Sequence, residues 1–185
     1  FVEYVRSLLG MIQENFTYES VFRYLRSGYC EFTEDEIDRL ENYCLALGIK
    51  GYKKWQQAWA RKTKEADEEE VEKLNHLRVK FVEKIDPLMF VSRQKKKTVL
   101  DITLAVYEFI AGEHLQEKLE QQQKFFAEQG ELTLAKEYEQ IYRIVMELFD
   151  KFSELLGDEP ITLKEYCELL DAGFEEAKVG VIPPS

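Results

Sequence analysis

Histidine is almost missing from this chain: His76 and His114 are the only two in 185 residues. Neither follows a glutamate three positions earlier, so the Glu-x-x-His pairs of a di-iron helix bundle are absent. Neither lies in an H-E-x-x-H run, and both read as helix-surface or packing residues. The sequence also lacks G-x-x-x-x-G-K-[ST], which excludes a phosphate loop of the usual kind. It lacks the G-x-S-x-G elbow of serine hydrolases. Cysteine is sparse. Cys30, Cys44 and Cys167 are isolated, odd in number and without a C-x-x-C pair, so they form no disulfide framework. Each reads as a small apolar residue in a reducing, cytoplasmic compartment. No run of about 18 apolar residues exists to span a membrane, and no signal segment opens the chain. Phe1 stands where an initiator methionine would, and the chain stops at Ile182-Pro183-Pro184-Ser185. Both ends are expected to be boundaries inside a longer polypeptide.

Positive charge is in deficit: 25 Lys and Arg face 36 Asp and Glu, a net charge of -11. Such a surface, taken whole, repels nucleic acid, although a local basic patch remains compatible with it. Hydrophobic residues make up 45%, enough for a core without metal or disulfides. A domain of this length buries roughly 70% of the surface its unfolded chain exposes.

Apolar residues recur at helical spacing almost throughout, and no strand alternation or internal repeat competes. Val5, Leu8, Leu9 and Ile12 share one face. Thr17 reads as the cap of a short helix carrying Val21, Phe22 and Leu25, with Gly28 as its stop. Thr33 and Glu36 have the spacing of a capping box ahead of Ile37, Leu40, Tyr43 and Cys44, a helix ending at Gly48. A long helix is expected from about Asp67 with Val71, Leu74, Leu77, Val79 and Phe81 inward, ended or kinked at Pro87. One helix is expected from near Thr98 towards Gly130, with the stripe Leu100, Leu104, Tyr107, Ile110, Ala111, Leu115 and Leu119. Its partner, Glu131 to Leu156, carries Leu134, Tyr138, Ile141, Val145, Leu148, Phe152 and Leu155 and should pack antiparallel across Gly130. Thr162 and Glu165 cap a last helix through Tyr166, Leu169, Leu170 and Phe174. The fold class is therefore all-α, a multi-helix bundle of at least six helices in one domain over 1–178. Residues 179–185, which include the β-branched run at Val179–Ile182, read as a connector or the start of a strand leading to a neighbouring domain.

One stretch has the composition of a ligand surface. Lys50, Lys53, Lys54, Arg61, Lys62 and Lys64 occur with no acidic residue among them, interleaved with Tyr52, Trp55 and Trp59. Cations that neutralise phosphates beside aromatics that stack on bases are what a nucleic-acid surface requires. Arg93, Lys95, Lys96 and Lys97 form a second basic run. The competing reading makes both tryptophans core anchors and the lysines a solvated rim. If Trp55 and Trp59 are buried and the lysines scatter, the protein-interaction reading gains. No residue is a candidate for catalysis or for metal binding. The triple Glu68-Glu69-Glu70 reads as the acidic first turn of a helix, where the dipole favours it.

The run Tyr18-Glu19-Ser20-Val21-Phe22-Arg23-Tyr24-Leu25-Arg26-Ser27-Gly28 resembles a segment of the AddB/RexB family, the B subunits of bacterial helicase–nucleases. The likeness continues through Ile37-Asp38-Arg39-Leu40-Glu41-Asn42-Tyr43 and Gly48-Ile49-Lys50-Gly51 to Trp55, and returns at Val179–Ser185. Between about 65 and 170 it rests on helical character alone. The resemblance implies a parent that unwinds and resects double-stranded DNA ends for homologous recombination, in complex with an AddA/RexA-type subunit. It implies ATP, Mg2+ and an iron–sulfur cluster in that parent. None of the family's nucleotide, nuclease or cluster-ligand motifs falls on this stretch, so no cofactor is expected within it and the three cysteines are not cluster ligands. The stretch would then be a non-catalytic helical accessory subdomain, comparable to the 2B subdomain of superfamily 1 helicases, that positions DNA or the partner subunit. The alternative is a helical protein–protein interaction module without nucleic-acid contact.

Overall fold

Side chains close the helix ends where short-range sequence signals place them. Thr17 accepts the Ser20 amide at the start of α2 (Tyr18–Leu25), which follows α1 (Val2–Gln13). Thr33 and Glu36 exchange both bonds of a capping box at α3 (Glu34–Leu47), and Gly48 ends that helix in the left-handed conformation (φ 62°) that glycine adopts freely. A single short turn of helix follows, α4 (Tyr52–Gln56), and Asp67 then caps the long α5 (Glu68–Ser92). The structure is a computed structural model and describes residues 1–112 and 114–180, with side chains through Ala177. Among the described residues it contains nine helices and no strand, completed by α6 (Val99–Gly112), α7 (Leu115–Glu128), α8 (Leu132–Leu156) and α9 (Leu163–Gly180).

The core runs through the whole chain. In α1, Val5, Leu8 and Leu9 are buried between α2 and α9, and Arg6 ties α1 to α9 through Asp171 at 2.8 Å. Helix α6 packs between α5 and α8. The α5–α6 and α8–α9 connections are laced together, with Val99 N donating to Glu159 O (3.0 Å) and Ile161 N donating to Lys97 O (3.1 Å). Thr98 and Asp101 form a reciprocal cap there, and Thr162 and Glu165 form another.

Several expectations need correction. Pro87 does not end α5, which runs on to Ser92; both the proline and Glu83, whose carbonyl loses its helical donor, are exposed residues. The helix expected from Thr98 to Gly130 is two helices, broken where His114 turns left-handed (φ 54°). Apolar spacing continues across that break, which hides it from a periodicity reading. On α6 the buried face is Val99, Ile102, Val106, Phe109 and Ile110, leaving Leu104 and Tyr107 exposed. This helix is apolar on nearly every side, so spacing alone could not choose its inner face. Val79 also points outward, and Arg78 takes the inner position. In α8, Val145 and Phe152 are buried while Leu134 and Leu155 are exposed. Helix α9 includes Val179 and Gly180; the rest of the expected connector, Val181–Ser185, lies outside the described residues.

Candidate nucleic-acid interface

The basic stretch is a strap lying along α5. Its first turn is α4; beyond Gln56 it has no regular structure, so its backbone groups need other partners. Side chains supply them. Asn75 of α5 accepts from Trp59 N (2.9 Å) and donates to Trp59 O (2.7 Å). Arg78 donates to Trp55 O (2.8 Å) and to Asn75 Oδ1 (2.9 Å). Trp59 Nε1 donates to Lys54 O (3.1 Å), and the Tyr43 hydroxyl donates to Arg61 O (2.7 Å). Asn15, left-handed at φ 52°, holds the start of the strap by accepting from Tyr52 N (3.4 Å).

Both tryptophans are inside the molecule, Trp55 at 1% and Trp59 at 8% exposure. Their rings meet edge to face at 5.1 Å, and Trp55 also packs on Phe81. Tyr52 is buried as well, its hydroxyl on Asp86 Oδ1 at 2.6 Å. Burial, reinforced by that hydrogen bond, pushes the phenol above its ordinary range. The expected role of Trp55 and Trp59 as stacking surfaces is therefore corrected: their faces are covered by other side chains, not presented to solvent. Positions 52, 55 and 59 share one helical face, a spacing that already marks a core stripe. Arg78 lies against Trp59, 5.9 Å from the ring centroid, and burial lowers its pKa.

The cations point the other way. Lys50, Lys53, Lys54, Arg61, Lys62 and Lys64 are all exposed. Of these six, Lys62 is the one within 4 Å of a carboxylate among the described residues, Glu68 at 3.9 Å. The second basic run joins the first, because Arg93 covers the Tyr52 ring at 5.1 Å while Lys95 and Lys96 remain exposed. From Arg93 back to Asn75 the strap follows about 27 Å of α5. That exceeds the roughly 8–10 Å screening length at physiological salt, so the two ends act as separate patches of positive charge. The row stops at Glu65, Asp67, Glu68 and Glu69, all exposed. Asn75 and Arg78 were missed by sequence reasoning. The available signal was an arginine occupying the core position between Leu74 and Phe81. No group of three His, Cys, Asp or Glu among the described residues is arranged to hold a metal, and no described helix is long and apolar enough to cross a membrane.

Comparison with known proteins places this architecture. The B subunit of the ATP-dependent helicase/deoxyribonuclease of Lachnoclostridium phytofermentans is 44% identical over the whole chain. The chain belongs to the AddB/RexB family. Proteins of the same name from Clostridium novyi (38% identical over 98% of the chain) and Acetivibrio thermocellus (36% over all of it) agree. No family model matches. The chain spans 16–17% of the length of these AddB/RexB relatives.

Proposed function

We propose that this chain is a non-catalytic helical subdomain in the B subunit of an ATP-dependent helicase/deoxyribonuclease, and that its strap holds double-stranded DNA ends by their phosphates beside the A-subunit partner. The observation that carries this is the row of six exposed cations with Lys62 alone near a carboxylate. The names of the relatives supply the setting, a DNA-processing complex whose whole-protein activity includes ATP-driven unwinding and nuclease chemistry. The likeness to a 2B subdomain belongs to the same proposal. With the aromatics turned inward, the strap reads charge and shape rather than bases, so binding is independent of sequence and salt-sensitive.

A second reading, a protein-interaction module without DNA contact, is favoured by the burial of both tryptophans and by apolar side chains at the surface. Phe90 is 69% exposed beside an open groove of about 850 Å3 between α5 and α6, which Leu104 also lines.

The test replaces Lys53, Lys54, Arg61 and Lys62 by serine in the full A–B complex. Expected are weaker binding to duplex ends and a salt slope shallower by about 0.9 for each phosphate no longer neutralised. Unchanged affinity and slope would remove DNA from the strap and leave the interaction module.

A further inference from the structure

Arg6 fastens α1 to α9 with its guanidinium on Asp171 (2.8 Å), near Glu175 (3.8 Å) and over the Phe174 ring (5.7 Å). The two helices so joined, with α8 as the floor, leave an open groove of about 440 Å3. Its walls are apolar: Val2, Ile141, Ile144, Phe174 and Ala177. Glu137 and Gln140 form its polar margin. Val2 opens α1 and Ala177 lies in the last turn of α9, so both ends of the described chain meet at this one groove.

We propose that the groove seats an apolar face of the same B-subunit polypeptide, from the part covalently joined to this chain. The AddB/RexB relatives carry roughly six times its length, so each holds a large body of polypeptide beyond the matched segment. The first and last turns of the described helices both border the groove, so it lies near the points from which the rest of the subunit is reached. Tethering gives such a segment a high effective concentration there, on the order of millimolar for a short connection, which a separate chain must exceed to compete. The lining selects leucine, isoleucine, valine or phenylalanine side chains, and the exposed Glu137 selects a lysine or arginine at the edge of the occupant. The groove therefore fixes how the helical unit is oriented on the rest of its subunit. This does not depend on the DNA reading, since the strap plays no part in it.

The experiment places the photocrosslinker p-benzoylphenylalanine at Gln140, and separately at Ile144, in the full-length B subunit. Irradiation is done with that protein alone and in complex with the A subunit, followed by peptide mapping. The marginal Gln140 position leaves the wall intact should the Ile144 variant fold poorly. The expected product is a cross-link to B-subunit residues outside these 185, in both samples. A cross-link to the A subunit, to a second copy of the B subunit or only within these 185 residues would overturn the proposal. So would the absence of any protein cross-link from Gln140.

Discussion

The least regular stretch of the molecule buries its large hydrophobic anchor, while two of its regular helices leave theirs outside. Residues 57–66 have no helix of their own, yet Trp59 is 8% exposed and its backbone is held at both ends of the residue by Asn75. The α7–α8 hairpin is regular and strongly periodic, yet Phe125 is 56% and Leu132 62% exposed. Periodicity measures what a helix could bury. What is buried depends on whether another element arrives. Two partners arrive at the strap, α3 through Tyr43 and α5 through Asn75 and Arg78. Beyond Gln122, α7 leans on α8, as in Phe126 stacked on Tyr138 at 5.3 Å.

The largest expected difference between the two regions is in stability. Trp55→Ala empties a site packed by Trp59 and Phe81, and should cost about 3–5 kcal/mol in denaturant unfolding. Phe125→Ala should stay within about 0.5 kcal/mol. Comparable losses at the two positions would mean that the hairpin is as well packed as the strap. A smaller effect separates packing from hydrogen bonding within the strap. Asn75→Leu keeps bulk but removes both bonds to Trp59 and the acceptor for Arg78, at a cost of about 1–3 kcal/mol. Both tryptophans of the chain lie in the strap, so a red shift of intrinsic emission should accompany the loss. An unshifted spectrum would show that α5 does not hold the strap through this residue.

A third effect is confined to alkaline pH. Burial raises the Cys44 thiol to about 12 and the Cys167 thiol to about 11, against an ordinary value of 9.0. Above pH 9 an unfolded chain releases these protons while the folded chain keeps them, so the unfolded state binds fewer protons and stability falls as pH rises. The loss should continue to about pH 11 for Cys167 and to about pH 12 for Cys44. Alkylation at pH 9 should therefore modify Cys167, half-buried on α9, before Cys44. The reverse order would place α3 among the loosely held elements.

Helix ends were the most legible feature. Thr17, Thr33, Asp67 and Thr162 cap as their side-chain chemistry requires, because a cap is satisfied within three residues. The break at His114 was not legible, since Leu115 and Leu119 keep the spacing of the helix before it. Inner faces were legible on α1 and α3; on α6 only Asp101 and Glu108, flanking Leu104, marked the outer face, and the long apolar stripe outweighed them. In the candidate site the cations are exposed, as both sequence readings expected, and the tryptophans are buried, as the core-anchor reading expected. Lysine faces solvent for reasons intrinsic to its charge, whereas the direction of a tryptophan depends on residues such as Asn75 and Arg78, distant in sequence.

The anchoring of the α7–α8 pair has a mechanical consequence. Leu115 and Leu119 are buried near one end of α7, Val145 and Phe149 lie opposite in α8, and the turn at Gly130 stands at the far end. A helix of this length is about 21 Å long. Tyr142 against Phe1 and Gln122 against Tyr29 hold the pair partway along, so what projects as a lever is the part beyond them, towards Gly130.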